Sequence, residues 1–314
     1  MTRDDILEYS SLATLIVGHA RLPNIEKLIE ETSKAGIRRI YLHLDLGFDI
    51  ELVESQIRFC RDMENKFDGI LNVKLTEKNM GIAKSVYSAL EWFFSLEKSG
   101  VILEDDLVVT VNTFNFFRRA IPFLMVNERC LLVSGSTFLR EDSTVARRDI
   151  GWTNLPLIWG WATTSDKWMK LKELIIQPVP RRWPVSRIGG FLSIGAFKAL
   201  TGIVDTWDSP MALGMWSESY LCMIPPHNLV MNIGSDTVAI HTKTGEFPIG
   251  NPIKEFNISD INFVQPNPKA IRKTNTLIIN QNYKLETRHM IAPLLINLQK
   301  KDQSYLRRKL IDER

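Results

Sequence analysis

Three consecutive acids, Glu104-Asp105-Asp106, close an apolar run that begins at Val101. Adjacent carboxylates repel one another unless a cation or a positively charged ligand sits among them. Hard oxygen donors suit Mg²⁺ or Mn²⁺, ions that take few protein carboxylates and complete their shells with water and substrate phosphates. An acidic turn without a ligand is the plainer account of the same residues. A second segment, Glu77-Lys78-Asn79-Met80-Gly81-Ile82-Ala83-Lys84, joins a strand pattern to a helical one. The first amides of a helix favour anions, so Asn79, Gly81 and Lys84 are candidate phosphate or nucleotide contacts. Taken alone, a capped loop with a solvated lysine explains this segment more simply.

Three further segments carry possible chemistry. Trp159-Gly160-Trp161 offers two indoles that could wall a ligand site, since such rings present an apolar face and a polar edge; core packing accounts for them equally well. Asp208, in Thr206-Trp207-Asp208-Ser209-Pro210, is either a carboxylate offered to a substrate or a plain helix cap. Asn232-Ile233-Gly234 is followed by His241-Thr242. A lone histidine is usually structural, but His241 is a candidate metal or phosphate contact.

These residues need elements to position them, and the first third of the chain supplies a regular alternation. Strand patterns fall at 12–17, 37–44, 72–75 and 101–103, separated by helical patterns at 22–36, 50–67 and 82–96. Compact βα alternation predicts a mostly parallel sheet covered by helices on both faces, with ligands outside the carboxyl ends of the strands. A helix over 112–126 and a strand over 130–134 follow. Residues 140–183 read mainly as loops around one short helix near 165–174, and Ser209-Pro210 opens another helix. From 251 onward Pro and Asn accumulate, which reads as a linker or peripheral wrap. The last stretch, 290–314, is amphipathic and basic at its end.

Composition narrows the field. The chain has 314 residues, 45 % hydrophobic and 24 % charged, ordinary for a globular protein with a sizeable core. Its net charge of +3 is too small to argue for a nucleic-acid partner. Cys60, Cys130 and Cys222 have no paired spacing and apolar surroundings, as buried thiols do in a reducing compartment. No signal peptide is visible, and apolar runs such as 291–298 fall short of the roughly 18–20 residues that span a bilayer. The expectation is a cytoplasmic protein, with peripheral contact to the inner face of a membrane left open by the basic C-terminal stretch.

The order of these segments resembles a haemolytic-protein-like, family-2-like group of bacterial glycosyltransferases related to N-acetylglucosaminyltransferase I. The matching pieces are Asn79-Met80-Gly81, Glu91-Trp92-Phe93-Phe94, the 101–106 run, the 158–162 run, Trp207-Asp208, the 228–234 run and His241-Thr242. The resemblance covers roughly 11–245. It implies a GT-A fold, with a glycosyltransferase domain over 1–250 (donor-binding half 1–135, acceptor half 136–250) and a C-terminal extension over 251–314. It implies that Asp106 is the direct ligand of Mn²⁺ or Mg²⁺, and that Glu104 and Asp105 contact the donor. Gly18, His19, Arg21 and Asp45 would meet the nucleotide, and Asp208 would be the base of an inverting transfer. His241 or Lys84 would add positive charge near the phosphates. The donor would be a nucleotide diphosphate sugar, UDP by resemblance. The acceptor would be a glycan, lipid-linked or protein hydroxyl framed by Trp159, Gly160, Trp161 and the arginines 147, 148, 181 and 182. Where the group often has Asn-Arg-Pro after the first strand, this chain has Gly18-His19-Ala20-Arg21-Leu22-Pro23. Two other readings stand beside this one. A sugar-1-phosphate nucleotidyltransferase would need an early glycine-rich loop, for which only Gly18 and Arg21 are available. A non-catalytic glycan- or nucleotide-binding module on a degenerate transferase fold would not need the intact acids.

Overall fold

Every residue of β1 (Ala13–Gly18) is buried, and Thr14 is its only polar side chain. A strand with both faces apolar belongs in the middle of a sheet covered on both sides, and that is where it lies. The computed structural model describes residues 12–139, 148–176, 186–234, 257–282 and 305–312. In it β1 pairs in parallel with β2 (Arg39–Leu44) on one side and β4 (Ser99–Glu104) on the other, and β2 pairs in parallel with β3 (Ile70–Leu75). The sheet continues through β8 (Trp161–Thr164), β6 (Cys130–Ser134), β9 (Leu221–Ile224) and β7 (Gly151–Thr153), in the order β3-β2-β1-β4-β8-β6-β9-β7. Only β8 and β7 run against the others. A separate ribbon pairs β5 (Leu107–Val108) with β10 (Met231–Asn232).

Helices cover both faces. On one side α1 (Leu22–Lys34), α2 (Ile50–Lys66) and α4 (Val111–Val126) bury Ile25, Leu28, Cys60, Phe114 and Phe117 against Ile16 and Leu42. On the other, α3 (Ile82–Leu96), α5 (Ser165–Ile176), α6 (Arg187–Leu200) and α7 (Asp208–Ser217) bury Phe93, Trp168, Leu192 and Met211 against Leu15 and Val17. The alternation of β1 side chains between the two cores is the period-two rule of a strand. This α/β arrangement, a mostly parallel sheet flanked by helices, is the expected one. Among the described residues no helix is long and apolar enough to cross a membrane, and the three cysteines are buried and free.

Two parts of the sequence reading need correction. The stretch read mainly as loop contributes β7 and β8 to the central sheet, strands of 3 and 4 residues. The segment after 251 is not merely peripheral where it is described. Ile258, Ile261 and Ile271 enter one core and Ile278 the other. Within α8 (Pro268–Asn282), buried Asn275 accepts hydrogen bonds from the Thr153 hydroxyl and the Asn154 amide.

His43 on β2 gives the fold a pH dependence. It is buried, and neither ring nitrogen finds a hydrogen-bond partner. Burial, then the neighbouring Lys74 ammonium, push its pKa from 6.5 down to about 4. The unfolded chain therefore takes up this proton near pH 6.5 while the folded one resists until about pH 4. Stability is undiminished above that window, declines as pH falls through it, and levels off below. The total is on the order of 3 kcal/mol. In urea unfolding at a series of pH values, His43→Leu should lose that part of the acid slope; a slope equal to the parent's would assign the titration elsewhere.

Candidate active site

Register brings the ends of three parallel strands level. Val17 lies beside both His43 and Glu104, and Gly18 beside Leu44. The residues that follow, His19, Asp45 and Asp105, therefore emerge together at the carboxyl edge of the sheet, where an open α/β sheet offers its crevice. They are tied to one another. The Asp105 carboxylate accepts the His19 amide at 2.8 Å and pairs with Arg21 at 3.1 Å. Gly18 lets these groups approach, because a Cβ there would push on the Ile25 Cδ1 methyl at 2.6 Å and crowd Asp105 at 3.1 Å. Asp105 thus braces the turn after β1, and its two oxygens are already engaged.

Its neighbours are held differently. Asp106 receives one side-chain hydrogen bond, from Asn232 Nδ2 at 3.1 Å, and its carbonyl accepts the Ile233 amide. The β5–β10 ribbon is what carries Asn232 there. Loss of water around Asp106, then the adjacent Asp105, raise its pKa. Glu104 is pushed well up by the same desolvation, then by Asp106, Asp105 and Asp208. The acidic motif therefore divides into one carboxylate paired with Arg21 and two that make no ion pair among the described residues, Asp106 feeling Arg21 only as a weaker attraction.

The opposite rim is built around Asp45. Burial raises its pKa, while its oxygens accept from the Thr76 hydroxyl and the amides of Met80 and Gly81. Asn79 closes the same loop by donating to the Leu46 carbonyl at 2.8 Å. Gly81, at φ +76°, turns the chain into α3 in a conformation that favours glycine. Buried Gln56 fastens this rim to β1. Its amide donates to the carbonyls of His19 and Asp45 and accepts the Gly47 amide.

The third wall is the stretch before α7. Asp208 is the first residue of that helix, so the helix begins one residue before Ser209-Pro210. The Thr206 hydroxyl donates to Asp208 Oδ1, and the Ser209 hydroxyl approaches the same oxygen at 3.4 Å. Trp207 is buried and stacks on Trp161, ring centres 6.0 Å apart.

A cleft of about 450 Å³ lies between these walls. Of the residues singled out from sequence, Gly18, His19, Arg21, Asp45, Asn79, Gly81, Glu104, Asp105, Asp106, Trp159 and Asp208 line it. Three do not. Lys84 is half-buried on α3 and absent from the cleft wall. Trp161 is a core residue, only 1 % exposed, because it begins β8 and packs on Trp207. Gly160 is buried beneath Val230 and accepts the Gly135 amide, so it shapes the turn between the two tryptophans rather than the cleft surface. His241 lies outside the described residues, as do Arg147, Arg181 and Arg182; Arg148 is described and exposed. The cleft also contains residues that pattern reading passed over. Phe48, 85 % exposed and edge-on to His19, is one, and Asp205 is another.

Among the described residues no three His, Cys, Asp or Glu side chains converge as a ready-made metal cage. The donor set still fits a hard divalent ion. Glu104 and Asp106 are oxygen donors with no ion-pair partner among the described residues, and ions of this type complete their shells with substrate phosphates.

No protein-family model matches the chain, and no curated protein matches it. Solved structures give partial likenesses. HddC from Yersinia pseudotuberculosis matches at 11 % identity and a TM-score of 0.32, over 49 % of this chain and 77 % of that one. The glycosyltransferase GlyE from Streptococcus pneumoniae TIGR4 matches at 14 % identity and 0.36, over 67 % of this chain and 45 % of its own. The mannosyltransferase PcManGT from Pyrobaculum calidifontis, solved with GDP-Man and Mn²⁺, matches at 14 % and 0.37, over 96 % and 88 %. Likenesses at these scores say nothing of what this chain binds.

Proposed function

We propose that the chain is a metal-dependent glycosyltransferase of GT-A architecture that moves a sugar from a nucleotide diphosphate donor to an acceptor hydroxyl. One observation carries this reading: Glu104 and Asp106, the loop that opens α3, and Asp208 face a single cleft at the carboxyl ends of the parallel strands. Crowded acids, two of them in no ion pair among the described residues, suit a cation and, through it, a diphosphate. The amides at the start of α3 suit an anion. A separate carboxylate on the far wall suits proton transfer.

Asp106, beside Glu104, would hold Mn²⁺ or Mg²⁺, and the ion when bound supplies Lewis-acid neutralisation of the departing diphosphate. The chain's own residues do the rest. Arg21 and His19 are fixed by Asp105 on the nucleotide side of the cleft. Asp45 and Asn79 hold the 79–81 loop in place for the donor. Thr206 donates to one oxygen of Asp208, which leaves the other to take the acceptor hydroxyl's proton. A base so placed, opposite the leaving group, inverts the anomeric carbon and contributes about 10²–10⁴-fold in rate. Trp159, packed on Phe138 at 4.5 Å between ring centres, offers an apolar surface to the acceptor. Residues 1–250 would form the transferase domain and 251–314 an extension, with His241 a further metal contact. The donor nucleotide is UDP by the sequence resemblance, and the acceptor a glycan, lipid-linked or protein hydroxyl. The working place is the cytoplasm, with peripheral contact to the inner face of a membrane left open.

A panel of nucleotide sugars with and without Mn²⁺, read by thermal shift and by product analysis, tests this. One donor should stabilise the protein only with the metal, and turnover should release the nucleoside diphosphate. Release of pyrophosphate would make the chain a nucleotidyltransferase. Binding without any turnover or donor hydrolysis would leave a binding module.

A further inference from the structure

Asp205 lines the cleft three residues ahead of Asp208, and the C-terminal end of the chain holds it there. Lys309 Nζ lies 2.7 Å from Asp205 Oδ1. On the other side Asp205 Oδ2 packs against Gly81, so a side chain there would displace the carboxylate as well as strain the φ of +76°. Lys309 itself is carried by a docked segment. Leu310 next to it is buried in the core shared by α3 and α6. The Tyr305 ring sits 2.8 Å from where a Cβ on Gly202 would be, and Gly202 has φ +74°. Residues 305–312 thus clasp the loop between α6 and α7, the loop that ends in Asp208.

We propose that Asp205 contacts the hydroxyls of the transferred sugar and helps choose that sugar, and that Lys309 is the positioning residue that holds it. This rests on the nucleotide-sugar reading above. A partly exposed ion pair adds little to stability, so anchoring alone is a weak reason for a cation to reach the cleft from the chain's far end. A carboxylate repels a diphosphate but accepts strong charge-assisted hydrogen bonds from neighbouring hydroxyls. Asp205 packs against Gly81 at the α3 N-terminus, which suits the phosphates, and precedes by three residues Asp208, which suits the attacking hydroxyl. The sugar must lie between those two.

The test uses the full chain with Mn²⁺ and two ligands: the nucleotide sugar that most stabilises the parent protein, and its bare nucleoside diphosphate. Asp205→Asn should weaken the nucleotide sugar by roughly 10–100-fold and leave the nucleoside diphosphate unchanged. Lys309→Met should act in the same direction, Lys309→Arg should restore most of the affinity, and Asp205→Asn combined with Lys309→Met should be no worse than Asp205→Asn. Should Asp205→Asn, with a circular dichroism spectrum like the parent's, weaken both ligands alike or neither, the sugar contact is wrong. Equal loss of both ligands in Lys309→Met alone makes Lys309 a general support of the fold. If the parent protein binds neither ligand, the glycosyltransferase reading fails first and takes this inference with it.

Discussion

Asp106→Ala is expected to lower turnover by about 10³-fold or more while the protein stays folded. The size follows from what the ion is asked to do. Neutralising the charge that builds on a leaving diphosphate is worth several kcal/mol, and each 1.4 kcal/mol is roughly tenfold in rate. The fold should survive because Asp106 gives little to it. Its side chain accepts one hydrogen bond, from Asn232, and otherwise loses water and meets repulsion from Asp105 that outweigh the attraction of Arg21. Removing a mutually repelling carboxylate should leave the metal-free melting temperature unchanged or slightly higher. The parent protein should gain stability from Mn²⁺ together with a nucleoside diphosphate, and the variant should gain none. Turnover in the variant within tenfold of the parent's would rule out Asp106 as the metal ligand. A variant that melts well below the parent without metal would show that the side chain is structural after all.

Much of this site could be seen in the sequence, for a physical reason. In the first third of the chain, strands alternate with helices that carry apolar stripes, β1 apolar on both faces and β3 only partly buried at the edge, and this pattern fixes the topology of a parallel sheet. Topology in turn fixes where the strand ends lie. The acids after β4, Asp45 after β2 and the turn after β1 were bound to meet. What pattern could not supply was the division of labour within the motif. Nothing local marks Asp105 as the partner of Arg21 and Asp106 as the carboxylate left facing the cleft; the distinction comes from the β1–α1 turn and the 231–234 segment, 126 positions away at Asn232. The two tryptophans show the same limit. Trp159 and Trp161 are two residues apart, yet the turn at Gly160, with φ +58°, separates them, one to the cleft and one to the core.

Other features were hidden by length or by distance. β7 and β8 are too short for an alternation to be counted, and they exist because the sheet offers them partners. Gln56 carries no signal as one polar residue in the middle of a helix, although its amide joins the ends of β1 and β2. The pairing of Asp205 with Lys309 spans 104 positions and arises only once the C-terminal segment has docked. Pro and Asn around 257–268 have the composition of a linker, but the isoleucines among them pack into the core. Composition describes the surface that such a segment shows to water, not the few side chains it turns inward.

The acceptor side of the reaction is best separated from the donor side by Asp208→Asn. This variant keeps the shape of the side chain and its contact with Thr206, so the turn before α7 should persist. It removes the ability to take up a proton, together with one negative charge that acts on Glu104. Donor affinity should therefore stay within about twofold, with turnover falling by about 10²–10⁴-fold, the range a positioned general base contributes. The loss should appear in kcat and not in the KM for donor, because the contact matters once the acceptor hydroxyl begins its attack. Slow hydrolysis of the donor by water should persist, since the groups that steady the diphosphate are untouched. Equal loss of donor binding and turnover would mean that Asp208 serves the fold of the cleft wall, and a base would then have to be sought elsewhere. The near neighbours make that outcome measurable. Glu104 feels the charge of Asp208, so losing that charge shifts the Mn²⁺ dependence in either case, and the melting temperature is what separates the two roles. A structural Asp208 lowers it in the metal-free variant, whereas a base acting only on the acceptor leaves it at the parent's value.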